Sequence, residues 1–152
     1  MINKPLSIFR TGFLLSSLIV CFVTPAAGKS IGKDQVNIRE QPTQSSAVLY
    51  TAPLGYPIEI KKESGDWVYF HDWLDNSGWV YKPLVSDIET AVILVEKANI
   101  RSAATVSSAV VAHATQGEIY TILARDGNWV KLGYYQSGTA VGWIRDDLVF
   151  GD

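Results

Sequence analysis

The sequence has few of the residues on which most enzyme and metal sites depend. Its 152 residues include one cysteine, Cys21, and two histidines, His71 and His113. Without the apolar N-terminal segment that contains Cys21, the chain has no thiol for a disulfide, a thiolate metal site or a cysteine nucleophile. The histidines lack the ligand spacing of a zinc site, and neither a Gly-x-Ser-x-Gly elbow nor a phosphate-binding glycine loop is present. We therefore predict a protein without catalytic residues, cofactor or metal.

Charge is also scarce, with 13 basic and 15 acidic residues in the whole chain. Without residues 1–28, which contain Lys4 and Arg10, 11 basic and 15 acidic residues remain, giving a net charge of −4. Nucleic-acid-binding proteins and proteins held on anionic lipids carry a basic surface. The mature chain lacks that excess of positive charge, so we predict no nucleic-acid partner.

Long hydrophobic runs are absent as well. The longest uncharged apolar stretch runs from Phe13 to Val23, whereas a spanning helix needs about 20 apolar residues. A basic start, such a stretch and small residues after it are typical of a secretory signal peptide. We predict a signal peptide over residues 1–28, cleaved after Ala26 or after Gly28, and a periplasmic or secreted protein with no stable membrane anchor after cleavage.

Two alternatives to a simple signal peptide are less favoured. One is an N-terminal membrane anchor formed by the same apolar stretch. The other is a lipid-modified Cys21, but the bulky Val20 stands before it where lipoprotein signals carry a small residue.

An internal repeat of about sixty residues is the main feature that the sequence does have. Asn37-Ile38-Arg39 recurs as Asn99-Ile100-Arg101 at an offset of 62, and later matches follow at an offset of 64. The change of offset predicts a two-residue insertion in the loop around residues 135–139. We place copy one at residues 29–86 and copy two at residues 92–152. Further matches are Gly65–Val68 with Gly127–Val130, Gly78–Val80 with Gly142–Ile144, and Leu84 with Leu148.

Each copy reads as an all-β unit. Segments such as Ile58–Lys61 and Trp67–Phe70 are rich in β-branched and aromatic residues and are bounded by turn-forming residues. The pair Gly65-Asp66 and its counterpart Gly127-Asn128 suit tight hairpins. Several short strands within sixty residues predict a small barrel or sandwich.

The ordered pattern of both copies resembles bacterial SH3-like (SH3b) domains over nearly all of residues 31–86 and 93–150. The matching elements are Asn-Ile-Arg, a glycine sixteen residues later, Gly-Asp/Asn-Trp-Val, and Gly-Trp-Val/Ile followed by a leucine. The resemblance implies two tandem SH3-like β-barrels without catalytic activity, of a family found on exported proteins that bind peptidoglycan peptides or other proteins. One departure is the opening segment Lys29–Lys33, which is polar and predicts a frayed first strand.

Aromatic side chains supply the candidate binding site. If Val68 and Phe70 face the core, then strand alternation places Trp67, Tyr69 and His71 on the opposite face. Exposed aromatic clusters often mark binding surfaces. The alternative is that the repeated tryptophans are packing residues of a repeated fold. The candidate ligand-binding residues are Tyr56, Trp67, Trp73 and Trp129.

The repeated Asn-x-Arg motif has two interpretations. In one, Asn37 and Arg39 bind a ligand carboxylate, since arginine forms bidentate pairs. In the other, which we favour, the arginine binds loop carbonyls and carries an ion pair at the barrel surface. The carboxylate of Asp72, next to His71, is expected to be exposed at the end of a strand.

Taken together, these features predict an exported, non-catalytic binding protein whose partner is cell-wall peptidoglycan, through its peptide or glycopeptide. The alternative is an adaptor or inhibitor that docks on another protein of the cell envelope.

Overall fold

The computed structural model describes residues 28–152, so that the predicted signal peptide lies outside it apart from Gly28. These residues form fourteen β-strands and two short 3₁₀ turns. Within this range no helix is long and apolar enough to span a membrane. Copy one contains β1 (Lys29–Ile31), β2 (Val36–Arg39), β3 (Val48–Ala52), β4 (Pro57–Ser64), β5 (Trp67–His71), β6 (Ser77–Tyr81), a 3₁₀ turn (Lys82–Leu84) and β7 (Val85–Ser86).

Copy two repeats the same series of elements. It contains β8 (Thr90–Ile93), β9 (Lys97–Arg101), β10 (Val110–Thr115), β11 (Ile119–Asp126), β12 (Trp129–Tyr134), β13 (Ala140–Arg145), a 3₁₀ turn (Asp146–Leu148) and β14 (Val149–Phe150).

Two seven-stranded antiparallel sheets, one for each copy, have the same strand order. The order is β3-β2-β6-β5-β4-β1-β7 in copy one and β10-β9-β13-β12-β11-β8-β14 in copy two. Tight hairpins connect β4 to β5 and β11 to β12, where Gly65 and Gly127 take φ values of +55° and +54°. The all-β prediction is therefore confirmed.

Each copy has its own hydrophobic core, built by the alternation of its strands. In β5, Val68 and Phe70 are fully buried, and Trp67 and Tyr69 lie on the outer face. Burying one such aliphatic or aromatic side chain contributes about 1.5–3 kcal/mol. The remaining core residues of copy one are Ile31, Val36, Ile38, Ala52, Tyr56, Ile58 and Val80.

The first strand is ordered, contrary to the prediction that it would be frayed. β1 pairs with both β4 and β7. Ile31 is fully buried in the core, and the Ser30 hydroxyl donates a hydrogen bond to the Ile88 carbonyl at 2.7 Å. A single inward apolar side chain and a satisfied serine are enough to hold this polar segment in the sheet.

The arginine of each Asn-x-Arg motif stabilises the loop that follows it. Arg39 Nη1 donates to the Ser46 carbonyl at 2.7 Å, and Arg101 Nη1 donates to the Ser108 carbonyl at 2.8 Å. This confirms the expectation that the arginines bind loop carbonyls. The expected ion pair is not formed by either arginine within residues 28–152.

The two extra residues of copy two lengthen a hairpin. β12 and β13 each have six residues, compared with five in β5 and β6. The longer hairpin brings Tyr135 against Gly55 of copy one, where an added Cβ would lie 3.0 Å from the tyrosine ring. Gly55 also has a φ of +77°, a conformation that favours glycine.

Further contacts join the copies near their junction. The buried Thr90 hydroxyl donates to the Gly55 carbonyl at 2.7 Å. Lys29 forms an ion pair with Asp87 of the connecting segment. Gly28 lies directly beside Gly151, so the first described residue is next to the penultimate one.

Candidate binding groove

Copy one has a shallow surface groove of about 390 Å³. We call it the copy-one groove. It is lined by β2, by the start of β5 and the end of β6, by the loops that precede β2 and β3, and by the 3₁₀ turn after β6. The lining residues are Lys33, Asp34, Gln35, Val36, Asn37, Arg39, Gln44, Trp67, Tyr81 and Leu84.

An aromatic pair forms the apolar part of this groove. Trp67 at the start of β5 is the direct cross-strand neighbour of Tyr81 at the end of β6. Their ring centroids lie 5.6 Å apart with the planes inclined at 57°, a favourable tilted arrangement. Both side chains are half-buried, so each ring keeps a free surface for contact with a ligand.

Polar and charged side chains surround the aromatic pair. Asn37 is exposed beside it, and Arg39 keeps guanidinium nitrogens free after Nη1 has bonded to the Ser46 carbonyl. Lys33 and Asp34 lie on the loop before β2, which turns through Gln35 at a φ of +52°. The groove thus combines an apolar platform with two cations and one anion.

Trp79, which lies on the same face of the sheet as Trp67, is covered by side chains of copy one. Trp79 is only 9% exposed. Its ring lies 5.3 Å from that of Tyr69, and the Lys62 ammonium is 4.8 Å from the Tyr69 centroid and 5.4 Å from the Trp79 centroid. Because of these contacts Trp79 is a packing residue, as the alternative interpretation of the repeated tryptophans predicted.

The equivalent place in copy two has a different chemistry. Trp129 is the cross-strand neighbour of Arg145, in the same register that joins Trp67 to Tyr81. Arg145 is held by a bidentate pair with Asp147, at 2.9 Å and 2.6 Å. Trp129 therefore lacks the aromatic partner that Trp67 has.

The structure does not bring Tyr56 and Trp73 together with Trp67. They lie near the far end of β5, and five residues of extended strand separate Trp67 from Asp72, a distance of about 16 Å. Tyr56 is buried, and Trp73 packs against the core of copy one. Of the four predicted residues, only Trp67 lines the copy-one groove.

A buried carboxylate at that far end was not predicted. Asp72 is 3% exposed, whereas His71 beside it is exposed. Asp72 accepts hydrogen bonds from the hydroxyls of Tyr50 at 3.0 Å and Tyr56 at 2.9 Å. It also accepts from the backbone N–H groups of Leu74 and Asn76, both at 2.9 Å. The expectation of an exposed strand-end aspartate is wrong because these donors close around it.

The Asp72 network has a structural role. Burial, reinforced by the Asp72 carboxylate, raises the pKa values of Tyr50 and Tyr56 above their ordinary range. The signal in the sequence for a buried carboxylate was the position of Asp72 at the start of a short hairpin loop that contains Asn76, where aspartate often binds backbone N–H groups. Within residues 28–152 there is no group of three or more histidine, cysteine or acidic side chains that could hold a metal ion.

Comparison with known protein families gives the same result for both copies. Residues 32–87 and residues 96–149 each match a family model described as a bacterial SH3 domain. The predicted pair of tandem SH3b domains is therefore confirmed.

Individual relatives are more distant. The chain is 27% identical over 139 residues to "Putative N-acetylmuramoyl-L-alanine amidase YrvJ" of Bacillus subtilis (strain 168). That match covers 84% of this chain and 26% of the relative, so the chain spans about a quarter of the relative's length. Among solved structures, NlpC2 from Trichomonas vaginalis superposes with a TM-score of 0.37 at 16% identity, covering 81% of this chain and 47% of that one. The "Endolysin LysPBC5 CBD" superposes with a TM-score of 0.30 at 18% identity, covering 80% and 90%.

Proposed function

Because the chain belongs to the bacterial SH3 domain family, in two tandem copies, we propose that it is an exported, non-catalytic protein that binds the peptide part of peptidoglycan. The binding site is the copy-one groove. Export is supported by the signal-peptide pattern of residues 1–28, and it places the protein in the periplasm or outside the cell, where its ligand is found.

The observation that carries this proposal is the half-buried Trp67–Tyr81 pair inside a groove with a charged rim. Rigid aromatic rings provide contact area at a low cost in conformational entropy. Arg39 and Lys33 provide donors for carboxylates, and Asn37 provides a donor and an acceptor for a peptide group. A peptide that carries carboxylates fits this set better than a neutral sugar does.

The name of the Bacillus subtilis relative supports the same ligand class. That name describes an amidase of N-acetylmuramoyl-L-alanine, a constituent of peptidoglycan. The segments of this chain matched by family models are SH3 domains, not catalytic domains. We therefore propose that the chain serves as a binding module, without hydrolytic activity of its own.

A co-sedimentation experiment with purified, protein-free peptidoglycan sacculi tests the proposal. We expect residues 29–152 to sediment with the sacculi and Trp67→Ala to remain in the supernatant. Trp129→Ala is the matched control, because it removes the equivalent ring from copy two, and it should still sediment. Tyr81→Arg, which gives copy one the residue of copy two, should weaken retention without removing Trp67.

A second candidate function is docking on another envelope protein as an adaptor or inhibitor. It is favoured by apolar side chains that are exposed at equivalent positions of the outermost strands: Val48 (46%) and Leu49 (50%) on β3, and Val110 (43%) and Val111 (51%) on β10. Outermost strands can accept an additional strand from a partner. A folded wild-type protein that does not sediment with sacculi would contradict wall binding and favour this candidate, which crosslinking in the cell envelope would then test.

A further inference from the structure

A second cavity, of about 530 Å³, lies between the two copies. We call it the interdomain cleft. Copy one contributes Asp34, Pro53 and Leu54, and copy two contributes Ile119, Tyr135 and Gln136. Neither copy could form this cleft alone.

The walls of the cleft are held by contacts between the copies. Tyr135 packs on Gly55, whose carbonyl accepts the buried hydrogen bond from Thr90 at 2.7 Å. Ile119 packs against the core of copy one. Because the Thr90–Gly55 hydrogen bond is buried, the cleft wall beside it has a defined shape before any ligand arrives, which lowers the entropic cost of binding.

Asp34 connects this cleft to the copy-one groove, because it lines both. Its side chain is exposed and forms no ion pair in the part of the chain that the structure describes. The two cations, Lys33 and Arg39, line the groove but not the cleft. Asp34 thus lies where the cation-lined groove meets the cleft, and among the described residues that line the cleft it is the one charged side chain.

We propose that the interdomain cleft is a second subsite for the ligand of the copy-one groove, a proposal that rests on the proposed function. The ligand is an extended peptide with a side-chain amine bound at Asp34. The carboxylate that precedes the amine-bearing residue lies toward Lys33 and Arg39 in the groove. The remaining residues of the peptide continue past Asp34 into the cleft, against Leu54 and Tyr135. The tandem arrangement then serves to build one long site, not two separate ones.

Binding of a defined peptide tests the amine at Asp34. The probe is N-acetyl-L-Ala-γ-D-Glu-L-Lys-D-Ala-D-Ala, compared with the same peptide acetylated on the lysine amine, by isothermal titration with residues 29–152. We expect the free amine to bind about three- to fivefold more tightly, the range of an exposed ion pair. Asp34→Asn should abolish this preference. Glu96→Gln, which removes the carboxylate at the equivalent position of copy two, should keep it.

Peptide length tests the cleft. Tyr135→Ala should weaken the pentapeptide about fivefold, the effect of losing a significant contact residue, and should leave the shorter N-acetyl-L-Ala-γ-D-Glu unchanged. Tyr134→Ala is the control, because Tyr134 is exposed and does not line the cleft. Circular dichroism of each variant verifies its fold.

The outcomes separate the two proposals. One outcome contradicts the cleft alone: Trp67→Ala abolishes pentapeptide binding, Asp34→Asn keeps the preference for the free amine, and Tyr135→Ala binds the pentapeptide as tightly as the wild type does. In that case the cleft is not a subsite and the groove remains the site. If Gln136→Ala, which trims the cleft without touching Gly55, also has no effect, the same conclusion follows. If the folded wild type binds neither peptide, both proposals fail.

Discussion

Replacement of Asp72 by alanine should unfold copy one under mild conditions. The carboxylate is almost completely buried and accepts hydrogen bonds from two tyrosine hydroxyls and two backbone N–H groups at 2.9–3.0 Å. Its removal leaves these donors without a partner, and each buried orphan costs about 1–3 kcal/mol. Because some of the donors can be rehydrated at the loop surface, we expect a total loss of about 3 kcal/mol.

This loss is comparable to the whole stability of such a unit. At about 0.05–0.15 kcal/mol per residue, a copy of some sixty residues is stable by about 3–9 kcal/mol. For a unit this small, the dependence of the unfolding free energy on urea is about 1 kcal/mol per molar. The urea midpoint of copy one should therefore fall by about 3 M.

Urea unfolding followed by NMR measures this effect, because the indole N–H signals of Trp73 and Trp79 report on copy one and those of Trp129 and Trp143 on copy two. Asp75→Asn is the matched control, since Asp75 is exposed in the same loop and asparagine accepts its φ of +59°. A copy-one midpoint for Asp72→Ala equal to that of Asp75→Asn would refute the reasoning. Tyr56→Phe, which removes one donor, should cost about 1 kcal/mol.

Three other expectations follow from the structure. Arg101→Ala should lower the free energy of unfolding of copy two by about 1–2 kcal/mol, because the Ser108 carbonyl loses its charged donor, as urea unfolding would show. Gly142→Ala should cost about 2–3 kcal/mol in the same assay, because Gly142 has a φ of +154° and an added Cβ would lie 2.5 Å from the Arg101 carbonyl oxygen. Above pH 10 the free energy of unfolding should decline: the raised pKa values of Tyr50 and Tyr56 keep them protonated in the folded state, whereas the unfolded chain releases those protons near pH 10.

Each of these expectations has a control in the same chain. Arg145→Ala removes an exposed ion pair and should cost less than about 1 kcal/mol. Gly138→Ala changes a glycine with a φ of +66° and open space around it, so it should cost only about 1 kcal/mol. The alkaline decline should be shallower in Tyr56→Phe, and a slope equal to that of the wild type would show that Tyr56 does not contribute to it.

Local features of the fold were predictable from the sequence because they depend on local rules. Alternation in β5 placed Val68 and Phe70 inside and Trp67 and Tyr69 outside, as the structure shows. The two arginine-held loops were predicted from a repeated motif. The frayed β1 was a wrong prediction because its polarity masked a single buried residue, Ile31.

The Asp72 network and the candidate site were predicted less completely, because both depend on which distant segments meet. Asp72 meets Tyr50 and Tyr56, which lie 22 and 16 residues earlier in the chain, only after the sheet has closed. Tyr81 was missed for another reason. Comparison of the copies emphasises what they share, and Tyr81 is replaced in copy two by Arg145, so the residue that gives Trp67 its partner did not stand out.

The contact between Gly28 and Gly151 has a consequence for how the molecule can be rearranged. Since the two ends of the described chain meet, a short peptide can join them without stretching either copy, and new ends can be opened elsewhere. Gly138 suits this, because the space around this one residue of the loop is open. For the same reason, the pair can be inserted into a surface loop of a host protein, to which it would add both SH3 domains at a single attachment point.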